Sequence, residues 1–238
     1  MDSSKTEIAK AQAKSPPKRT SRLRKLAYWL FVDVCVAVLV IGLLLHRPGR
    51  YRPLASAPYE PGQVHRYWQT LGSQFYNATQ ERRPFELIVQ QGPINEAVAQ
   101  ADWPQESHGV MLYSPAVVFE PGRVILMGTV EAEGLKLIAA VEIAPQIDPN
   151  GLLALDVAKF KVGAVNITPL ARMMGKKMYL DRVTAGGVDL NDIRTMIVAA
   201  LLNSEKFDPV YKAEDKKARL TNVEVEFRRL TLEFQPEG

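Results

Sequence analysis

Residues Ala116–Val162 read AVVFEPGRVILMGTVEAEGLKLIAAVEIAPQIDPNGLLALDVAKFKV, and the punctuation of this stretch decides the fold. Ala116 to Phe119 is apolar and β-rich, Glu120-Pro121-Gly122-Arg123 is a turn, and a strand runs from Val124 to about Ala132. Gly134 marks the next turn, and Leu135, Leu137, Ala139, Val141 and Ile143 share one face of the strand after it. Asp148-Pro149-Asn150-Gly151 then breaks the chain, because these residue types favour tight turns. The pattern is an antiparallel meander.

Its last strand changes phase. Leu153, Leu155 and Val157 alternate on one parity, whereas Ala158, Phe160 and Val162 take the other. A regular strand cannot turn both sets to one face, so the pattern predicts a bulge or bend near Val157–Ala158. Near the C-terminus Val223, Val225 and Phe227 precede Arg228-Arg229, and Leu230, Leu232 and Phe234 follow on the opposite parity. Two such changes predict a strongly curved sheet.

Around the meander the period is helical. Val64, Tyr67, Trp68, Leu71 and Phe75 place a helix near 63–80. Phe85, Leu87 and Val89 alternate with Glu86 and Gln90 as a strand, and Pro93-Ile94-Asn95-Glu96-Ala97 opens a short helix. Thr168-Pro169 starts a helix through Met178 with the stripe Leu170, Met173 and Met174. Asp189 caps another, with Leu190, Ile193, Ile197, Ala200 and Leu201 on one face. The order of elements gives an α+β domain.

Before that domain, Leu26–Leu45 reads LAYWLFVDVCVAVLVIGLLL. Twenty helical residues span about 30 Å, the hydrocarbon thickness of a bilayer. Residues 1–25 hold eight basic side chains and two acidic ones. The tail is therefore +6, which leaves −2 for the remainder of a chain whose total is +4. Arg47, Arg50 and Arg52 follow the run, but the tail is richer in positive charge, so it is expected in the cytoplasm and the domain outside it, in a periplasmic setting. Ala55-Ser56-Ala57 has the form of a signal-peptidase site, yet the run exceeds the usual signal core of about 7–15 residues, so an uncleaved anchor is the expectation.

The chain thus divides into a basic, polar tail expected to be disordered (1–25), a transmembrane helix (26–45), a proline-rich linker lifting the domain off the membrane (46–63) and the domain itself (64–238). Asp33 within the apolar run is costly in lipid. Either local thinning of the bilayer tolerates it or it meets a partner helix. The sole cysteine, Cys35, reads as an ordinary apolar thiol.

Chemistry is sparse. His46, His65 and His108 lack metal-ligand spacing, and no nucleophile elbow, phosphate loop, zinc-protease or dinucleotide motif occurs. Glu131 and Glu133 read as a solvated hairpin, Lys212–Lys217 as a solvated segment, and Asn77-Ala78-Thr79 and Asn166-Ile167-Thr168 as chance sequons. No enzyme activity, cofactor or metal is expected. A slightly acidic domain does not suit nucleic acid, whose phosphates demand cationic partners.

Ala116–Pro169, preceded by Pro93–Ala97, resembles the YpmS-like family of membrane-anchored bacterial proteins. The likeness rests on the asparagine in the helix start, on strands around Gly122 and Gly128, on the Asn150-Gly151 turn and on the strand ending in Val162-Gly163. It covers about 75 residues, roughly a third of the chain. It departs from the family in a polar loop at Ala101–His108 and in lacking a second proline after Val165. That family is similar to the tubular lipid-binding (TULIP-like) domains, and the resemblance implies an apolar groove with membrane lipid as its partner. The groove-lining residues expected are Leu170, Met173, Met174, Ile193, Ile197 and Leu201. The alternative expectation is an assembly subunit that binds another membrane protein through Asp33 or a strand edge.

Overall fold

A computed structural model describes residues 19–55, 66–107, 110–132, 134–184, 193–213 and 216–237. The chain falls into two units, Met1–Ile41 and Gly42–Gly238. The described part of the first unit is helical, the beginning of α1 (Arg19–Leu44). Within α1, Leu23–Leu44 is long and apolar enough to cross a membrane, with a mean hydropathy of 2.4. Trp29, Phe31, Val34, Val38 and Leu39 all stand exposed.

The second unit begins with the last turn of α1 and continues through α2 (Arg66–Gln80), β1 (Phe85–Gln90) and α3 (Gln91–Ala99). Then come β2 (Gln105–Ser107), β3 (Val110–Glu120), β4 (Arg123–Ala132), β5 (Leu135–Ile147), β6 (Leu153–Val162) and β7 (Val165–Asn166). It ends with α4 (Thr168–Thr184), α5 (Ile193–Asn203), β8 (Val210–Ala213), β9 (Lys216–Glu226) and β10 (Arg229–Glu237). This is the α+β order expected. The strands form two antiparallel sheets rather than one: β1-β10-β9-β8, and β2 through β7 in sequence order. No closed barrel forms among the described strands.

The sheets meet over apolar faces. Val117 and Phe119 of β3 pack with Val89, Val225 and Leu71 of α2. Leu153 of β6 packs with Ala218, Leu220, Phe234 and Ala200 of α5. Phe234 is ringed by Phe75, Phe85 and Tyr211 at 5.2, 5.3 and 5.8 Å between centroids. The register between β5 and β6 slips at Glu142/Ile143, leaving Ala158 without a partner. The expected bulge is therefore at Ala158.

The second parity change has a different cause. Arg229 pairs with Glu226, so Phe227-Arg228 is a two-residue hairpin turn between two strands, not a bend within one. Arg228 sits at φ 63, held by its carbonyl, which accepts from Gln91 N–H, and by its own N–H, which donates to the Phe119 carbonyl. The polar loop at 101–108 contains strand β2, and Lys212 and Ala213 pair with Lys217 and Lys216 between β8 and β9.

The proline-rich segment does not stand free over its described part. Tyr51 is 4% exposed and packs on Ala116, Ile125, Met127 and Ala140, the face of the six-stranded sheet turned away from the other sheet. Its hydroxyl donates to the Ser114 carbonyl at 2.8 Å and accepts from Thr129 Oγ1 at 2.8 Å. Ser114 lies in a bulge of β3 at φ 43, which frees that carbonyl from the ladder. Arg50 pairs with Glu120 at 2.8 Å, and Arg47 stacks over the Tyr51 ring. Upstream, Ala164 N–H donates to the Leu43 carbonyl at 2.8 Å. A side chain on Gly163 (φ 58) would collide with the Leu43 and Leu44 carbonyls. Residues 42–55 thus form a strap bound to the sheet, a correction to the idea of a spacer that lifts the domain.

Candidate ligand-binding site

Between the two sheets, beside α5, lies an apolar cavity of about 280 Å³. Val124 and Leu126 of β4, Ile143 and Pro145 of β5, and Leu153 and Leu155 of β6 form one wall. Leu220, Val223, Leu230 and Leu232 of β9 and β10 face them, with Ile197 and Leu201 of α5 and Tyr211 of β8 at the side. The wall is apolar because strand alternation sends one parity of each strand inward. Leu126 lies on this inner parity yet is 40% exposed, so the space opens to solvent at β4. Among the described residues, Tyr211 is the one on the lining with a polar side chain, and burial pushes the pKa of its hydroxyl up, so it stays neutral and able to donate.

A second apolar cavity of about 180 Å³ lies between β5, β6, α4 and α5. Leu201 borders both. Thr168, Ala171 and Arg172 of α4 supply its helical wall, with Val141, Val157 and Phe160 opposite. Arg172 donates to the Val157 carbonyl at 2.9 Å, which holds the guanidinium at the rim. Gly175 allows the close approach of α4 to Leu202, whose Cδ2 would lie 2.7 Å from a Cβ there.

Of the residues expected to line a groove, Ile197 and Leu201 do so. Leu170, Met173 and Met174 do not: they are 49%, 66% and 54% exposed, on the outward side of α4. The correction has a geometric reason. Thr168, Ala171 and Arg172 hold the inward side of the first turns, and a helix cannot turn both sides to one cavity. The side chain of Ile193, with Met178 and Asp189, lies outside what the structure describes. Strands β4 to β6 and β8 to β10 supply the rest of the lining. Strand alternation points to Val223, Leu230 and Leu232 as inward, but nothing in the sequence says which sheet they face.

Several polar groups outside the cavity have partners within the fold. Glu142 is buried and meets Lys161 at 2.6 Å and Arg123 at 3.3 Å. Burial pushes its carboxyl up, but the Lys161 hydrogen bond and the charges of Lys161, Lys159 and Arg123 outweigh this and hold it below the usual range. Glu131 pairs with Lys136 at 3.5 Å and is partly covered, its side chain 26% exposed, so it is less solvated than the hairpin reading expected; Glu133 lies outside the described residues. His65 and His108 lie there too. Among the described residues no group of three His, Cys, Asp or Glu side chains is placed to hold a metal. The Thr168 hydroxyl accepts from Phe160 N–H and donates to Asn166, so this sequon threonine serves the start of α4.

Comparison with family models, with curated proteins and with solved structures finds no match for this chain.

Proposed function

We propose that the chain is a membrane-anchored, non-catalytic module that holds a lipid acyl chain or similar apolar ligand in the cavity between its two sheets. The observation that carries this reading is the lining: about 280 Å³ walled by aliphatic side chains, open at Leu126 and adjoining a further 180 Å³. Together the two spaces fall within the range of ligand pockets, about 300–1,000 Å³. Apolar cavities of about 150 Å³ already stay dry and take up benzene. Each methylene moved from water into such a lining gains ~0.8 kcal/mol. A chain of about eight carbons therefore gains ~6 kcal/mol before ordering costs. The bulges at Ala158 and opposite Glu233 are where this reading has the sheets curve around the ligand. The sequence resemblance to the YpmS-like family, itself similar to TULIP-like domains, supports the same reading.

Retention of the anchor rests on Tyr51. A cut after Ala57 would sever residues that cover Ile125, Met127 and Ala140, which supports an uncleaved strap that stays with the domain. In this reading α1 holds the domain on the extracytoplasmic side.

The test is native mass spectrometry of the full chain extracted from membranes, with and without Ile197→Trp. The indole would fill the cavity at a cost of about 1–3 kcal/mol. A lipid adduct on the parent that disappears in the variant, with the fold intact by circular dichroism, is the expected result. A parent with no adduct under conditions that preserve lipid complexes would overturn the reading.

A further inference from the structure

The outward side of α4 carries three large apolar side chains in one stripe, Leu170, Met173 and Met174, all about half exposed or more. Spacing of i, i+3 and i+4 sets them side by side. The opposite side of the same turns is occupied by Thr168, Ala171 and Arg172 at the smaller cavity and by Gly175 against Leu202. The stripe is therefore not the core side of the helix. A contiguous exposed apolar patch marks a surface that meets something apolar.

Two features say what that is. The first is position. Ala164 is bonded to the carbonyl of Leu43, in the last turn of the helix long enough to cross a membrane. α4 begins at Thr168, and four residues reach at most about 14 Å. The stripe therefore starts close to the point where the chain would leave the hydrocarbon. The second is charge. Lys177 is exposed one turn beyond Met173, on the stripe's side, placed to lay its stem along apolar surface and its ammonium among phosphate headgroups.

We infer that the first turns of α4 dock on the bilayer surface, with Leu170, Met173 and Met174 among the acyl chains and Lys177 at the headgroups. The inference rests on the anchor reading above. It gives that reading a path, because the same turns wall the smaller cavity through Ala171 and Arg172. A chain leaving the bilayer then has about one helix diameter, roughly 10 Å, to cross.

The experiment uses the full chain with Cys35→Ser, reconstituted in phosphatidylethanolamine–phosphatidylglycerol vesicles. Single cysteines carrying a nitroxide replace Leu170, Met173 or Met174 in turn, and electron paramagnetic resonance compares collision with lipid-soluble oxygen and with an aqueous nickel chelate. Val38→Cys in α1 and Phe227→Cys at the β9–β10 turn, 72% exposed, are the reference positions. The expected result is an oxygen-to-nickel ratio at all three stripe positions several-fold above that at Phe227. A ratio equal to that at Phe227, with Val38 in lipid, would overturn the docking while leaving the anchor standing. An aqueous ratio at Val38 would remove the anchor and the inference with it. Stripe labels shielded from both reagents would show a protein partner on the stripe and would also overturn it. All three positions are at the surface, so a label that misfolds the chain at one leaves two readings.

Discussion

At the scale of single residues, the informative ones are polar groups whose partners are far away in sequence. Tyr51 is an aromatic in a proline-rich stretch, and nothing nearby in sequence shows that Ser114 and Thr129 wait for its hydroxyl. Tyr51→Phe should keep the ring packing and lose both bonds, lowering stability by about 1–3 kcal/mol in urea titration of the full chain. Glu142 was equally silent, since an acidic residue inside an alternating strand reads as solvent-facing. Its carboxyl is held below the usual range in the fold, and so is that of Asp148, through the hydrogen bond from Lys206 at 3.0 Å and those from the Leu152 and Asn150 amides. A lowered folded pKa contributes stability that is present above the ordinary carboxylate range and is lost as pH falls through the folded value. Unfolding midpoints measured from about pH 6 to about pH 3 should therefore drop at the acid end, and Glu142→Gln should flatten part of that drop.

At the scale of elements, the sequence was a good guide wherever periodicity and turn chemistry agree. The strands from Ala116 to Val162, the helices after Arg66 and at Thr168, and the bulge at Ala158 all follow from local rules. Two readings went astray for physical reasons. The turn at Phe227-Arg228 lacks glycine or asparagine because hydrogen bonds from Gln91 and to Phe119 stabilise it, so its parity change imitated a bend. The stripe on α4 has the right period for a core face, but periodicity cannot say whether an apolar side turns inward. One element-level device was only half visible. Asn95 was read as part of a helix opening, whereas its amide takes the place of a missing strand beside β3, donating to the Val117 carbonyl at 2.7 Å and accepting from Val117 N–H at 2.7 Å. Gln91 does the same for Phe119 N–H at 2.9 Å. Together with the short outer strands β2 and β7, this blunts the edges of the larger sheet, which weakens the case for assembly through them. Asn95→Asp keeps the acceptor, loses the donations to the Val117 and Gln91 carbonyls and sets a charge against them. It should cost about 2–3 kcal/mol in the same titration.

At the scale of the whole molecule, the apolar helix and the α+β domain were legible, because hydropathy and periodicity act on long stretches; the expected tail ran too far, since residues 19–25 are already helical and 1–18 lie outside the described residues. The boundary between linker and domain was not legible, since proline-rich sequence reads as spacer whether or not a surface awaits it. A chain starting at Gly42 should fold as a monomer, whereas one starting at residue 58 uncovers Ile125, Met127 and Ala140 and should aggregate or melt well below it, as light scattering and thermal unfolding would show. Gly163→Ala should act in the same direction by prising Leu43 and Leu44 from the β6–β7 turn, lowering the melting temperature of the Gly42 chain. The strap also has a mechanical meaning. A flexible leash would let the domain tumble and would absorb a pull on the membrane segment as slack. Here a tug arriving at Leu43 meets a hydrogen bond from Ala164, in the turn between β6 and β7. The sheet that walls the cavity is thus tied short to residues 43–51 of its own unit, so that, if the apolar helix is an anchor as proposed, a pull reaching Leu43 would arrive at the cavity wall rather than at a loose tether.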